Sequence, residues 1–149
     1  MGLIFKYHSF DELSAIDLYA ILQLRSEVFV VEQKCVYLDA DGKDQASFHI
    51  SGWDNEKLVA YCRVLLPGAS FIEASIGRVA TAIDYRGKGY GRTLMERSIA
   101  FSFNKFNCHK ITISAQLYLL KFYQSLGFAA IGQSYFEDGI PHIEMQLTS

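Results

Sequence analysis

The sequence has few cysteines, the residues whose disulfide bonds stabilise small secreted domains, and few prolines. Among its 149 residues there are three cysteines and two prolines. Cys35, Cys62 and Cys108 are odd in number and show no Cys-x-x-Cys spacing. We therefore expect free thiols rather than a disulfide framework, and we expect no zinc site.

The chain also lacks long apolar runs and long basic runs. No segment approaches the length that spans a membrane, and residues 1–6 lead into strand-like alternation without the pattern of a signal peptide. The net charge is −2 and the pI is near 6.1, whereas general nucleic-acid affinity needs a basic surface. We therefore expect a cytoplasmic protein that neither crosses a membrane nor binds nucleic acid.

What the chain does have is enough apolar residues for one core, since 50% of its residues are hydrophobic. Strand-like and helix-like periodicities follow one another in the order β-α-β-β-β-α-β-α-β-β. No linker or repeat interrupts them, so we predict a single α/β domain over residues 1–149 with a mixed sheet. The predicted elements are residues 3–8, 15–32, 47–53, 58–66, 71–81, 93–103, 110–115, 117–126, 128–136 and 140–147.

Glycine and basic residues cluster between the fourth predicted strand and the second predicted helix. The first N–H groups of a helix lack internal partners, and glycine lets the backbone approach an anion closely. The segment has neither the Gly-Lys-Ser/Thr end of a P-loop nor the first-βα position of a dinucleotide fingerprint. On these grounds it is either an anion site or a plain connection. We call it the glycine loop: Arg86-Gly87-Lys88-Gly89-Tyr90-Gly91-Arg92-Thr93.

Two charged residues stand on the apolar face of the first predicted helix. The residues that recur on this face at spacings of three and four are Leu18, Leu22, Arg25, Phe29 and Glu32. A charge on such a face is costly unless it is paired or faces a polar cavity. Arg25 therefore either pairs with Glu32 or with the backbone, or it forms the wall of a pocket.

An acidic loop follows this helix. Residues 33–45, which we call the acidic loop, contain Asp39, Asp41 and Asp44 without any apolar period. They lack the ligand spacing and the closing glutamate of an EF-hand, so we predict no calcium site. The negative charge favours a cationic ligand nearby.

Two motifs, in the right order, resemble those of the GNAT superfamily of N-acetyltransferases. Arg86-x-x-Gly89-x-Gly91 is similar to the pyrophosphate loop of the family, and Tyr123-x-x-x-Gly127-Phe128 is similar to its tyrosine element. Within the superfamily, the chain resembles the ElaA-like branch in particular, over residues 24–33 and 137–142. The resemblance implies an α+β GNAT fold, with a mixed, mostly antiparallel sheet that is splayed between strands four and five and flanked by helices.

The resemblance also implies acetyl-CoA as a co-substrate, without a metal. In this family the pantetheine arm lies between the splayed strands and pairs with free backbone groups of strand four, while the glycine loop holds the diphosphate. Gln116 stands where the family commonly has an asparagine that touches the cofactor. The implied cofactor-binding residues are Val79, Ala80, Thr81, Arg86, Gly87, Lys88, Gly89, Gly91, Arg92 and Gln116.

Acyl transfer from a thioester to an amine needs a base for the incoming ammonium and an acid for the leaving thiolate. Tyr123 resembles the general acid of the family. Ser75 stands where some relatives have a glutamate base on strand four, and a serine cannot serve as a base at neutral pH. The candidate bases are Glu73, His142 and Glu32, and a water chain to the solvent is the alternative.

The resemblance implies acetyl transfer to the primary amine of an unidentified small-molecule or peptide acceptor. An acyl-homoserine-lactone synthase, whose signature is similar around Arg25 and Arg63, and a non-catalytic acyl-CoA binding module are the alternatives. We expect the acceptor pocket to be shaped by Arg25, Phe29, Glu32 and Arg63. The aromatic C-terminal strands would also suit a homodimer.

Overall fold

The predicted elements all form, in the predicted order, in the computed structural model, which describes residues 2–149. The strands are β1 (Ile4–Ser9), β2 (Phe48–Asp54), β3 (Lys57–Leu65), β4 (Ser75–Thr81), β5 (Lys110–Gln116), β6 (Ala129–Glu137) and β7 (Ile140–Thr148). The helices are α1 (Ala15–Arg25), α2 (Tyr90–Phe106) and α3 (Leu120–Ser125), and a π-helical segment, Ser26–Glu32, continues α1.

The strands form two antiparallel groups that meet at one point. One group has the order β1-β2-β3-β4 and the other the order β5-β7-β6. A parallel bridge between Ala74 and Ile111, with the Thr112 N–H 3.0 Å from the Ala74 carbonyl, joins them. Beyond this bridge β4 and β5 are not paired, so the mixed sheet is splayed between its fourth and fifth strands, as the resemblance implied.

Helix α2 packs on the sheet through small and apolar side chains. Leu94 and Met95 are fully buried, as the apolar pattern predicted. Ser98 and Ser102 are also fully buried, and each hydroxyl donates to the carbonyl four residues earlier at 2.7 Å. Because these serines satisfy their own hydroxyls, the helix can lie close to the strands without leaving a buried polar group unpaired.

Three predicted boundaries are wrong by three residues or more, namely the start of the fourth strand and both ends of the second helix, which ends at Phe106 rather than at residue 103. The fourth strand was predicted over residues 71–81 but begins at Ser75. Its partner β3 ends at Leu65, which faces Ser75, so the residues before Ser75 have no partner on β3, and Ala74 instead bridges to Ile111. The second helix begins at Tyr90, three residues before the predicted start, and so includes the end of the glycine loop.

A bulge interrupts the pairing of β3 with β4. Tyr61 faces Ala80 and Arg63 faces Gly77, so two residues of β4 lie opposite one residue of β3. Arg78, in this interval, has a φ of +50°. A glycine, Gly77, precedes the bulge, but the left-handed conformation belongs to the arginine that follows it.

Gly127 ends the helical segment that leads to β6. Its φ is +101°, and its N–H donates to the Gln124 carbonyl at 3.0 Å, which is a geometry typical of glycine at a helix C-terminus. A Cβ atom at this position would lie 2.9 Å from Leu147 Cδ1. Residue 127 must therefore lack a side chain for two reasons, its backbone conformation and its contact with β7.

We expect Gly127→Ala to lower the free energy of unfolding by about 1–3 kcal/mol, because a residue with a Cβ atom is strained in this backbone region and must also displace Leu147. The measurement is urea unfolding followed by circular dichroism. Gly2→Ala is the control, since a Cβ atom at Gly2 would have no neighbour within 4 Å. Equal stabilities for both variants would contradict this account.

Candidate active site

A cleft of about 1110 Å³ lies between the splayed strands and extends from the glycine loop to the acidic loop. Strands β4 and β5, helix α3 and the β6–β7 hairpin all contribute to its walls. The predicted site residues that line it are Phe29, Glu32, Arg63, Val79, Ala80, Thr81, Arg86, Gly87, Gly89, Gly91, Arg92, Gln116, Tyr123 and His142. Arg25, Lys88 and Glu73 are not among the lining residues.

The glycine loop has the geometry of an anion site at the start of α2. Gly87 and Gly89 have φ values of +78° and +82°, and a Cβ atom at either would find nothing within 4 Å. The first bond within the helix runs from the Thr93 N–H to the Gly89 carbonyl at 3.1 Å. The backbone N–H groups before Thr93 therefore have no partner within the helix, and the helix dipole adds positive charge there.

The arginines of the glycine loop are already paired. Arg86 binds both carboxylate oxygens of Glu32, at 2.5 and 2.7 Å, and donates to the Thr81 carbonyl at 3.0 Å. Arg92 donates to the Ser125 hydroxyl at 2.8 Å and to the Ser125 carbonyl at 3.2 Å. The guanidinium groups of the loop are thus occupied, whereas its backbone N–H groups at the start of α2 and the ammonium group of Lys88, which lies over the Tyr85 ring, are not hydrogen-bonded to a carboxylate within residues 2–149.

Glu32 is an ion-pair partner, which corrects its prediction as a base. The hydrogen bonds from Arg86 hold the pKa of Glu32 below its ordinary value. A carboxylate held in its ionised form by a neighbouring cation is a weak proton acceptor. The predicted pairing of Arg25 with Glu32 is also wrong, because Glu32 lies at the exposed end of the helix and faces Arg86 instead.

The residue after Glu32 reaches the opposite wall of the cleft. The amides of Gln33 and Gln116 bond to each other reciprocally, at 2.9 and 3.3 Å. Gln116 ends β5, whereas Arg86 follows β4. The end of the first helix is therefore attached to both walls of the cleft, a contact that the sequence did not reveal.

Tyr123 lies in the cleft, on α3. It is 5% exposed, and its ring packs edge-on against Phe122 and Phe128, with centroid distances of 5.1 and 5.9 Å. Burial raises the pKa of the Tyr123 phenol well above its ordinary value. The hydroxyl therefore keeps its proton at neutral and moderately alkaline pH and can only donate it to a strong base.

His142 faces the same cleft from β7 and is 7% exposed. Its Nδ1 atom lies 2.7 Å from the Ile140 carbonyl oxygen, which can only accept a hydrogen bond. In the neutral ring the proton therefore sits on Nδ1, and Nε2 has a free lone pair. Nε2 lies 3.7 Å from Glu137 Oε2, so a carboxylate is in place to stabilise the ring when Nε2 gains a proton.

Glu73 does not lie where the sequence predicted. It precedes β4, so it does not share a strand face with Ser75, and its Oε1 accepts a hydrogen bond from the Thr112 hydroxyl at 2.7 Å. Its prediction as a catalytic base is therefore wrong in position. Ser75, by contrast, lines the cleft from the first residue of β4.

Three arginines and three aspartates form a closed ring of ion pairs beside the cleft, which we call the charge ring. Each aspartate bridges two arginines, and each arginine bridges two aspartates. The pairs, with their shortest distances, are Arg25–Asp39 (2.9 Å), Asp39–Arg78 (2.8 Å), Arg78–Asp41 (3.5 Å), Asp41–Arg63 (2.5 Å), Arg63–Asp44 (2.9 Å) and Asp44–Arg25 (2.7 Å).

The charge ring corrects two predictions. Arg25 has 0% exposure and so cannot touch an acceptor, because its guanidinium is enclosed by Asp39 and Asp44. The acidic loop does not attract a cationic ligand as predicted, since its three carboxylates are each bound by two arginines. The position of Arg25 on an apolar helix face predicted that its charge would be paired or face a polar cavity. No comparable pattern in the sequence predicted that Arg78 would be paired.

Residues 2–149 contain no helix that is both long and apolar enough to cross a membrane. Over the same residues, no three His, Cys, Asp or Glu side chains come together in the way metal ligands would.

A mixed sheet that splays between its fourth and fifth strands is the architecture of the acyl-CoA-dependent acyltransferases with which this chain compares. The family model for the acetyltransferase (GNAT) domain matches residues 20–149, and the chain belongs to this family. It is 44% identical to the protein ElaA of Escherichia coli strain K12 over 141 residues, which is 93% of this chain and 91% of that protein. A UPF0039 protein of Synechocystis is 41% identical over 97% of this chain and 95% of its own length.

Solved structures agree with this assignment. An acyl-CoA N-acyltransferase from Pseudomonas aeruginosa superposes with a TM-score of 0.93 at 39% identity, covering 99% of this chain and 100% of that one. Escherichia coli ElaA superposes with a TM-score of 0.91 at 40% identity, covering 97% and 99%. A CoA-dependent acyl-homoserine lactone synthase has a TM-score of 0.79 at 13% identity and therefore shares the fold alone.

The charge ring predicts a loss of stability in acid. The bonds from Arg63 lower the pKa of Asp41, and the bonds from Arg25 and Arg63 outweigh burial in lowering the pKa of Asp44, both from an ordinary value of 3.8. A carboxylate with a depressed folded-state pKa contributes stability above its unfolded pKa and loses it as the pH falls through the folded value. We expect the free energy of unfolding to fall between about pH 4 and pH 2.

The test is urea unfolding across that pH interval for the wild type, Asp41→Asn and the control Asp11→Asn. Asp11 is exposed and lies outside the charge ring. Asp41→Asn should be less stable at neutral pH and should lose less stability in acid than the wild type, because one of the titrating carboxylates is already missing. A pH dependence identical in all three proteins would contradict this interpretation.

Proposed function

We propose that the protein transfers the acetyl group of acetyl-CoA to a primary amine by direct attack of the amine on the thioester. The observation that carries this proposal is that the glycine loop at the start of α2, Tyr123 and His142 all line one cleft. The similarity to a structure described as an acyl-CoA N-acyltransferase supports nitrogen as the acceptor atom.

The residues of the cleft fit acetyl-CoA. The open space at Gly87 and Gly89 admits a diphosphate close to the free N–H groups of α2, which offer partial positive charge. The backbone of Val79, Ala80 and Thr81 lines the splayed gap and lacks a strand partner on the β5 side, so it can pair with the amides of the pantetheine arm. Acetyl-CoA, when bound, supplies the activated acyl group.

His142 is the proposed base. Of the three candidates, it alone lines the cleft with an unpaired proton-accepting atom, since Glu73 is bound by Thr112 and Glu32 by Arg86. Its Nε2 atom would take the proton of the incoming ammonium, directly or through one water. Glu137 would then face an imidazolium, whose charge it stabilises.

Tyr123 is the proposed acid. Its phenol stays protonated because burial raises its pKa. A thiolate that forms in the same buried cavity is also desolvated, which makes it more basic than a thiolate in water, so the phenol can hydrogen-bond to the departing sulfur and pass it the proton. The proposed acceptor is a primary amine of either a small molecule or a peptide. The arginines neutralise the acidic loop, so the loop gives no preference for a cationic acceptor.

A homodimer remains a prediction. Strand β6 is the free edge of its group, all nine of its residues are exposed, and Phe136 is 76% exposed. An unprotected strand edge with aromatic side chains would suit pairing with a second copy of the chain.

We expect acetyl-CoA to raise the melting temperature, because a ligand that binds only the folded state stabilises it by mass action. Gly89→Glu should abolish this shift, since the new carboxylate lies at the diphosphate site. Gly132→Glu is the matched control: Gly132 also has a positive φ and open space around it, but it lies on β6. No shift in the wild type would refute the cofactor assignment, and a normal shift in Gly89→Glu would refute the placement of the diphosphate.

Tyr123→Phe and His142→Gln should each lower kcat by about 10²-fold or more while leaving the Kd for acetyl-CoA nearly unchanged, because each removes a proton transfer rather than a binding contact. Kinetics with an amine that the wild type accepts, together with calorimetry, provide the measurement. Tyr19→Phe, an exposed position on α1, is the control. An unchanged kcat in either variant would remove that residue from its proposed role.

A further inference from the structure

The charge ring holds a strained residue at the place where β4 turns toward the cleft. Arg78 has a φ of +50°, a conformation that residues with a Cβ atom adopt only at a cost. Such a residue persists where its surroundings fix it. Its Nε donates to Asp39 Oδ1 at 2.8 Å, its Nη2 donates to the Asp39 carbonyl at 3.0 Å, and its guanidinium lies 5.5 Å from the Tyr37 ring centroid.

The anchor for Arg78 is itself rigid. Asp39 is 9% exposed, and its second carboxylate oxygen and its carbonyl also accept hydrogen bonds from Arg25, at 2.9 and 3.2 Å. Arg25 is fully buried beneath it and is held on its other side by Asp44. Asp39 is therefore held in place, so Arg78 would have to give up its hydrogen bonds to Asp39 if the backbone at the bulge changed conformation.

The charge ring also holds the strand opposite the bulge. Arg63 belongs to β3 and faces Gly77, the residue immediately before Arg78. Its guanidinium binds Asp41 and Asp44 of the acidic loop. The ring therefore connects both sides of the bulge, Arg63 on β3 and Arg78 on β4, to the same loop.

The bulge determines which backbone groups face the cleft. Side chains and backbone groups alternate along a strand, so loss of the extra residue would shift the strand by one position and reverse the faces of everything beyond it. The bulge consists of Arg78 and Val79, and Ala80 and Thr81 follow it. Val79, Ala80 and Thr81 all line the cleft.

We propose that the charge ring, acting through Arg78, fixes the bulge of β4 and thereby orients the backbone of Val79, Ala80 and Thr81 toward acyl-CoA. Arg78 is thus a positioning residue. This inference rests on the proposed function, in which these backbone groups bind acetyl-CoA. Arg78 also lines the cleft, so the test must separate positioning from direct contact with the ligand.

The test compares Arg78→Ala with Arg78→Gly. Both variants lose the same ion pairs, but glycine adopts a positive φ without strain and alanine does not. The bulge should therefore survive better in the glycine variant. We expect the Kd for acetyl-CoA, measured by calorimetry, to rise on the order of tenfold in Arg78→Ala and clearly less in Arg78→Gly. The control, Arg97→Ala, removes an exposed arginine that stacks on Phe5 and should bind like the wild type.

Amide hydrogen exchange of residues 77–81, measured on the ligand-free proteins, provides a second readout that does not depend on binding. Exchange should be fastest in Arg78→Ala, intermediate in Arg78→Gly and slowest in the wild type, because the bulge opens in that order. Since Arg78 is the least buried arginine of the charge ring, its variants are the ones that should still fold.

Three outcomes would overturn the inference. Wild-type affinity in both variants would give the charge ring a purely stabilising role, and equal weakening in both would mean that the guanidinium touches the ligand directly. Unchanged exchange of residues 77–81 in Arg78→Ala would show that the bulge does not depend on the charge ring. A wild type that fails to bind acetyl-CoA would instead overturn the proposed function and, with it, the acyl-CoA part of this inference.

Discussion

Strands β4 and β5 meet at one bridge and then separate, and the rest of the site depends on that separation. The bridge between Ala74 and Ile111 closes the narrow end of the cleft. Because no strand fills the gap beyond it, the backbone of β4 after its bulge is free to pair with a ligand. The same separation brings the glycine loop, which follows β4, and Tyr123, which follows β5, to the two sides of one cavity.

The charged residues around this gap serve mainly to hold its walls. The six members of the charge ring neutralise one another, and Glu32 neutralises Arg86. Desolvation of the charges offsets much of the attraction within buried ion pairs of this kind, so we infer that they contribute more to the geometry of the cleft walls than to the free energy of unfolding. In the proposed function, the anion site therefore uses backbone N–H groups, whose direction is fixed by the helix, and proton transfer uses the two least charged candidates, Tyr123 and His142.

The sequence predicted what is encoded locally. The order of elements follows from periodicity, and the glycine loop and Tyr123 follow from short motifs whose residues are close together in the chain. Partners distant in the chain were not predictable: the apolar helix face showed that Arg25 needed a counter-charge, but not that Asp39 and Asp44 would supply it. The start of β4 was also misplaced, because it is set by where β3 ends rather than by the alternation of residues 71–74.

In the proposed function, the cleft moves an acyl group from CoA to an amine. The most direct measurement is the release of free CoA thiol from acetyl-CoA in the presence of a panel of primary amines, with the acetylated product identified by mass spectrometry. We expect thiol release that requires both the protein and one class of amine, with one acetylated amine formed for each thiol. Tight binding of acetyl-CoA without thiol release above the hydrolysis rate, for every amine of the panel, would contradict the claim and favour a non-catalytic acyl-CoA binding module.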